Sequence, residues 1–211
     1  MLYDQKYVAA KLYKWEKYMK EFSLPTWEQL PPIELYMDQV LALLTQYLDF
    51  LPKDDNEDKI VSASAINNYV RLKIMPAPLK KRYARVHIAY LIMICTLKQT
   101  LNIAYVQKLL PMNLSEEEVR TIYNDYVEKH KATALFFTRQ AHSLASGFLS
   151  NPEHHEDAVE NLVITSAVVA GFAKLLVEKV VKLQNTTLEE STDPQIEQFI
   201  PPALKNDEKK A

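Results

Sequence analysis

The sequence predicts an all-helical protein. Apolar residues recur at three- and four-residue steps along most of the chain, whereas the alternation of apolar and polar residues that marks a strand is almost absent. Prolines and helix-capping residues divide this periodicity into separate segments. The hydrophobic fraction of 48% and the charged fraction of 25% are those of a folded protein that buries a core.

Five shorter helices are predicted in the first part of the chain. They cover about residues 4–22, 31–51, 62–73, 84–100 and 103–110. Pro31-Pro32 is expected to form the first turn of the second helix, where proline is tolerated, and Ser62 is the expected N-cap of the third. The fourth helix is the most apolar and is therefore the expected buried spine of this part.

Two long helices are predicted after residue 114. Ser115 and Glu118 have the spacing of a capping box, in which each side chain accepts a hydrogen bond from the other residue's backbone N–H. Apolar steps continue to Phe148. A last helix, over residues 153–183, is apolar nearly all round its middle and is expected to be central to a C-terminal bundle. Residues 185–211 are polar and are expected to be a disordered tail.

The composition excludes the common kinds of nucleotide-binding enzyme and gives little support to other enzymes. The chain has only 2 glycines, whereas the phosphate-binding loops of nucleotide-binding enzymes need several for close approach of the backbone. The nucleophile motifs GxSxG and SxxK and the zinc motif HExxH are absent. The sequence therefore predicts neither an enzyme nor a bound cofactor or metal.

A cytoplasmic location is expected from the cysteine content and the hydropathy. Cys95 is the single cysteine and lies in an apolar run, which indicates a buried structural thiol in a reducing compartment. The N-terminal residues contain no apolar segment of a secretory signal. The most apolar stretch, residues 162–173, is shorter than the roughly 20 residues that a membrane span requires, and Lys174 follows it. We therefore expect no contact with a membrane.

The charges are distributed unevenly. The chain contains 25 basic and 27 acidic residues, but residues 60–115 contain no Asp or Glu. The basic residues of this stretch are Arg71, Lys73, Lys80, Lys81, Arg82, Arg85, Lys98 and Lys108. A basic block within an acidic chain is typical of a site for a polyanion. The other interpretation is a chance cluster on a solvated face.

The order of elements in residues 62–110 resembles the N-terminal module of MerR-type regulators. That pattern has a recognition helix, a turn with proline, a basic wing that ends in Arg-Tyr, an apolar helix and a short closing helix. The matching apolar, aromatic and proline positions are Ile66, Tyr69, Ile74, Met75 and Pro76. The end of the wing matches Lys80-Lys81-Arg82-Tyr83, and the helices that follow match at Leu91, Ile94, Leu97, Ile103, Val106 and Leu110. The resemblance implies a winged helix-turn-helix module.

The sequence departs from the MerR pattern at several positions. Asn67 replaces the usual arginine of the recognition helix, and Lys73 replaces the glycine before the wing. The acidic run of residues 54–58 stands where a tight turn is usual, and the wing is short and lacks glycine. Residues 30–114 more closely resemble an uncharacterised bacterial family of unknown function whose signature includes the strings INNY and KKRY. That family implies no activity.

The resemblance to MerR-type regulators and the chemistry of the side chains give two sets of expected DNA contacts. Asn67, Asn68 and Arg71 are expected to contact bases, since amides pair with adenine and arginine pairs with guanine in the major groove. The expected phosphate contacts are Lys73, Lys80, Lys81, Arg82 and Arg85, which supply positive charge. The simpler interpretation treats the amides as exposed helix residues and the cations as solvated surface charges.

These observations predict a transcriptional regulator that binds double-stranded DNA at specific sequences. The expected parts are an N-terminal helix in residues 1–30, a helix-turn-helix DNA-binding domain in 31–114, a helical dimerisation or regulatory region in 115–184, and the tail. A homodimer held by the C-terminal helices is expected, because two-fold dimers match palindromic sites. The alternative is an all-helical protein-interaction module that no longer binds DNA.

Overall fold

The computed structural model describes residues 3–52, 60–150 and 157–204. Within these ranges the α-helices are α1 (Gln5–Glu21), α2 (Met37–Tyr47), α3 (Ala63–Arg71), α4 (Arg85–Leu97), α5 (Ile103–Leu109), α6 (Glu116–Ser150) and α7 (Ala158–Lys182). A turn of 3₁₀ helix, Trp27–Gln29, lies between α1 and α2. The prediction of an all-helical protein is confirmed. Among the described residues, extended backbone pairs only in isolated β-bridges and forms no β-strand.

The start of α2 differs from its prediction. The helix begins at Met37 rather than at Pro31-Pro32, so the expected role of these prolines as its first turn is wrong. The reason is that Leu35 remains extended and pairs with Tyr83. The Leu35 N–H donates to the Tyr83 carbonyl at 2.9 Å, and the Tyr83 N–H donates to the Leu35 carbonyl at 2.8 Å. These bonds use backbone groups that a helix would otherwise need.

The main hydrophobic core surrounds α4. Every residue from His87 to Cys95 is buried, which confirms that this helix is the spine of the first part of the chain. Buried residues of α2, α3, α5, the first half of α6 and the segment 24–30 complete the core. Cys95 is buried as predicted, and this burial raises the pKa of its thiol to about 12. The thiol is therefore protonated and unreactive at neutral pH.

α6 belongs to both halves of the molecule. It begins with the predicted capping box: the Ser115 N–H donates to the Glu118 carboxylate at 2.8 Å, and the Glu118 N–H donates to Ser115 Oγ at 3.3 Å. Its first half contributes to the main core, whereas its second half packs against α1. A small second core forms there from Ala9, Ala145 and Val159.

α7 is not central to a bundle, and that prediction is wrong within a single chain. Val159 and Val181 are its buried residues, whereas all residues from 167 to 176 are exposed. The N-terminal end packs beside α1 and α6, and the C-terminal end packs against α5. The described residues contain no further helix that could cover the middle of α7. A Cβ atom at Gly171 would meet nothing within 4 Å, so this glycine makes no close helix contact within the described chain.

The length of α7 also changes the hydropathy argument. The helix has 25 residues and a mean hydropathy of 1.6 over its most apolar window, so by length and composition alone it could cross a membrane. The expectation based on the shorter stretch 162–173 therefore loses its support. Among the described helices, α7 alone passes this test.

Two predictions about loops fall outside the described residues in whole or in part. The acidic run of residues 54–58 lies outside them. The predicted tail is described up to residue 204, where it forms turns and the short 3₁₀ segments Ile196–Phe199 and Pro202–Leu204, and residues 205–211 lie outside.

Candidate nucleic-acid interface

The expected base-contacting residues lie on the face of α3 that points away from the core. Ser62 caps the helix as predicted, because its Oγ accepts a hydrogen bond from the Ala65 N–H at 3.2 Å. Ile66 and Tyr69 are buried and fix the inner face. The spacing of three and four residues then places Asn67 and Arg71 on the solvated side, where both are exposed.

Asn68 and Arg71 form a pair. The Arg71 Nη2 donates to Asn68 Oδ1 at 2.7 Å, and the Asn68 side chain is only half exposed. A bidentate contact to adenine requires the oxygen and the nitrogen of one amide, so Asn68 would have to exchange this bond to contact a base. Within the part of the chain that the structure describes, the Asn67 side chain has no such bond to exchange.

α3 ends in a Schellman motif with lysine at the left-handed position. Lys73 has a φ of 54°, its N–H donates to the Val70 carbonyl at 3.0 Å, and the Ile74 N–H donates to the Tyr69 carbonyl at 3.0 Å. Glycine is the usual residue there, and a residue with a Cβ costs about 1 kcal/mol in this conformation. Lys73 is exposed and stands at a position where the backbone conformation favours glycine.

The segment after α3 folds into a tight hairpin with two lysines at its tip. The Arg82 N–H donates to the Leu79 carbonyl at 2.9 Å, which closes a two-residue turn. Lys80 and Lys81 both have positive φ values, 49° and 62°. This is the pattern of a type I′ turn, for which Asn-Gly is the preferred sequence. Both lysine side chains are exposed.

The hairpin is attached to the core on both arms. Tyr83 pairs with Leu35 as described above, and both side chains are buried. On the other arm, the Nε2 of His87 lies 3.3 Å from the Ala77 carbonyl, while its Nδ1 accepts a hydrogen bond from the Ala84 N–H at 2.9 Å. Because Nδ1 is the acceptor, the proton of the neutral ring is on Nε2. His87 thus caps α4 and holds the first arm of the hairpin.

Two of the expected phosphate contacts already have partners within the protein. The Arg82 Nη1 lies 3.9 Å from a Glu34 carboxylate oxygen, and its guanidinium lies 5.4 Å from the centre of the Tyr36 ring. Arg85 is half-buried, and its guanidinium lies 5.6 Å from the centre of the Trp27 ring. The Arg85 Nε is buried without a hydrogen-bond partner among the described residues. The geometry of Arg85 favours a packing role.

Sequence reasoning missed the contacts that position this surface. Gln107 of α5 donates from Nε2 to the Leu72 carbonyl at the end of α3, at 2.8 Å. Glu34 and Tyr36, which engage Arg82, lie far from it in the chain. The short segment between Pro78 and Tyr83 contains two lysines and no glycine, which could have indicated a strained turn. No feature of the neighbouring sequence indicates the partners of Arg82 and Arg85.

Comparison with known proteins finds one family model that matches the central part of the chain. Residues 25–126 match a domain of unknown function, DUF1836. The DUF1836 region contains α2 to α5 and the start of α6, and therefore the whole candidate surface. This confirms the expected similarity to an uncharacterised family, and it does not show a MerR-like module. No curated protein and no solved structure matches the chain.

The neutral state of His87 predicts a loss of stability at acidic pH. Burial lowers the pKa of His87, as it lowers that of His130. Below about pH 6.5, the ordinary pKa of histidine, the unfolded chain therefore binds protons that the folded chain does not, and the free energy of unfolding falls. In His87→Gln the glutamine can still cap α4, so the fall between about pH 6.5 and 5 should become smaller, leaving the part due to His130.

Urea unfolding of both proteins across this pH range measures the difference. Carboxylates with lowered pKa values, such as Glu118, titrate at lower pH and affect both proteins alike. Equal pH dependence in the two proteins would contradict the assigned role of His87.

The strained turn predicts that stability and binding change in opposite directions. Replacing Lys80 and Lys81 by Asn and Gly keeps the left-handed turn but relieves most of its conformational cost, which is about 1 kcal/mol for each lysine. The free energy of unfolding should rise by about 1–2 kcal/mol. If this surface binds DNA, affinity for DNA fragments should fall, because two cations are removed. Lys80→Ala with Lys81→Ala is the matched control, since it removes the charges and keeps the strain. If either double variant binds DNA as tightly as the wild type does, Lys80 and Lys81 have no role in binding.

Proposed function

We propose that the chain binds double-stranded DNA at specific sequences through a MerR-like winged helix-turn-helix, as a transcriptional regulator. In this proposal α3 is the recognition helix and the hairpin of residues 77–83 is the wing. The observation that carries the proposal is the pair of exposed lysines, Lys80 and Lys81, at two successive left-handed positions of the hairpin tip.

Backbone strain that persists at a surface suggests selection for the side chain. Asn-Gly would form the same turn without strain, and the tip is exposed, so packing gives no reason for lysine. A phosphate backbone does give a reason, because cations at the tip of a short wing can approach it closely. Lys73 is a third lysine in a left-handed conformation, just before the hairpin.

The order and connection of the elements support the MerR-like interpretation. An extended residue before α2 pairs with the hairpin, α3 follows, and the hairpin leads into the buried α4. Lys73 stands where the MerR pattern has glycine, and its positive φ explains that preference. The described part of the segment from residue 60 to 115 contains no acid, so α3 and the hairpin carry basic charge only.

The recognition face in this proposal consists of Asn67 and the Asn68–Arg71 pair. Asn67 is exposed on the outer face of α3 and has the chemistry to contact adenine. Arg71 is held by Asn68 at 2.7 Å, an arrangement that orients its guanidinium without neutralising it. Guanine is its expected partner.

The partners of Arg82 and Arg85 favour the alternative function, a protein-interaction module. Arg82 lies beside Glu34, and Arg85 lies on Trp27, so two of the five expected phosphate contacts are engaged within the chain. A module that no longer binds DNA could retain the same fold with these cations serving the structure. The behaviour of the two lysines at the hairpin tip distinguishes the functions.

The salt dependence of binding provides that test. If Lys80 and Lys81 contact phosphates, each contact releases condensed counterions. Lys80→Ala with Lys81→Ala should then weaken binding to specific and random DNA alike, and should flatten the slope of log affinity against log salt by about two, or roughly 0.9 per contact. The free energy of unfolding should change by less than about 0.5 kcal/mol, since both side chains are exposed.

A matched control is Lys14→Ala with Lys17→Ala, which removes the same charge from exposed positions of α1. The control should leave the slope close to that of the wild type. If both double variants change the slope equally, the effect comes from net charge and the hairpin has no special role. An unchanged slope in the hairpin variant would favour the protein-interaction function.

Specificity should depend on the amides of α3. Asn67→Ala with Asn68→Ala should reduce the preference for the specific site over random DNA, by roughly 1–3 kcal/mol for each base that the variant no longer recognises. Helix content should be unchanged, because alanine favours helix. Competition titrations against random DNA measure this preference, and Gln140→Ala, an exposed amide of α6, is the control. Retained preference in the double variant would show that these amides do not contact bases.

A further inference from the structure

α7 presents a broad apolar face that the rest of the chain does not cover. Val163 is exposed on the same side of the helix as the buried Val159 and Val181. At about 100° per residue, the other exposed apolar side chains fall mostly on the side away from these two valines. Together with the residue that follows the helix, they are Ile164, Val168, Val169, Phe172, Leu175, Leu176, Val180 and Leu183. Each is between 49% and 69% exposed. These exposed side chains therefore form one apolar face and are not scattered single residues.

The size of this face is that of a dimer interface. Eight side chains of this kind leave on the order of 800 Å² exposed, which is about what each partner of a stable dimer buries. The largest apolar patch on an ordinary monomer covers about 300–600 Å². Phe136 and Leu144 of α6 are also exposed.

We propose that this face pairs with α7 of a second copy of the chain, with the two helices antiparallel. Both ends of α7 are attached to the body, Val159 to the small core with α1 and α6, and Val181 to the region of α5. A helix attached at both ends can meet another protein surface without a change of fold, whereas crossing a bilayer would require both attachments to break. These attachments favour a second copy over a membrane.

The apolar face contains a ridge of large side chains at four-residue steps, which is compatible with self-pairing. Ile164, Val168, Phe172 and Leu176 form one ridge at four-residue steps, and this ridge is symmetric about Ala170. A two-fold axis on the apolar side of α7, at the height of residue 170, would set Ile164 opposite Leu176 and Val168 opposite Phe172 of the other copy. Ridges at four-residue steps are the ones that interdigitate most often between helices, and an isologous contact needs such self-complementarity.

The charges at the two ends favour the antiparallel orientation. At about 100° per residue, Asp157 lies on the apolar side at the N-terminal end, and Lys179 and Lys182 lie there at the C-terminal end. An antiparallel pair sets the acidic end of each helix beside the basic end of the other. A parallel pair would set Lys179 against Lys179 and would align the helix dipoles unfavourably.

The first experiment measures the oligomeric state of the full chain by analytical ultracentrifugation. The wild type is expected to be a dimer at micromolar concentration, and Phe172→Glu is expected to raise the dissociation constant by at least about tenfold, as for a central interface residue. Phe199→Glu is the matched control, because Phe199 is equally exposed but lies outside α7, and it should remain dimeric. Unchanged circular dichroism shows that both variants are folded.

A monomeric wild type, or a Phe172→Glu variant that dimerises like the wild type, would overturn the proposal. Wild-type protein that remains monomeric and floats with phosphatidylcholine–phosphatidylglycerol vesicles would assign the face to a membrane instead. These outcomes do not depend on DNA, so the dimer and the proposed DNA-binding function can fail separately.

The second experiment tests the orientation. Ile164→Cys and Leu176→Cys are prepared as separate proteins of different size, mixed, and treated with a short bifunctional maleimide. The antiparallel pair predicts cross-links between the two variants and few within each, and a parallel pair predicts the reverse, which would overturn the orientation. The wild type is the control. Its single cysteine, Cys95, is buried and should react little with the maleimide.

Discussion

The complete burial of α4 is the constraint on which the first half of this structure depends. A helix whose residues from His87 to Cys95 are all buried must be surrounded by other elements on every side. α2, α3, α5, α6 and the segment around Trp27 provide this cover. Because such an interior excludes unpaired charges, the cations that flank α4 in the sequence lie at its edge, in the turn after α3 and in the hairpin.

The hairpin shows how a stable core can hold a strained surface. Lys73, Lys80 and Lys81 adopt left-handed conformations that glycine or asparagine would adopt at lower cost. The pairing of Leu35 with Tyr83, and the two hydrogen bonds of His87, hold the arms of the hairpin in place and offset that cost. The core thus fixes the backbone from which the two exposed lysine side chains extend.

α4 and α7 show that similar apolar composition can lead to opposite environments. Both helices are apolar round most of their circumference, and both were expected to be buried. α4 is covered by its own chain, whereas the middle of α7 is exposed from residue 167 to residue 176. The difference is a matter of available partners, because α6 is already covered by α1 along its second half and the described chain offers no other helix. Within the described residues, the hydrophobic effect that buries α4 thus leaves the middle of α7 in contact with solvent.

The sequence by itself determined the helices, their caps and the basic block, because these depend on residues close together in the chain. Ser62, Ser115 with Glu118, and the apolar run of α4 are signals of this local kind. The tertiary structure alone decided which cations have partners within the chain, since Arg82 meets Glu34 and Tyr36, and Arg85 meets Trp27, across long separations in sequence. It alone decided the start of α2, through the pairing of Leu35 with Tyr83. It also decided the exposure of α7, because burial depends on whether other elements are left to cover a helix, and the periodicity of one segment carries no information about them.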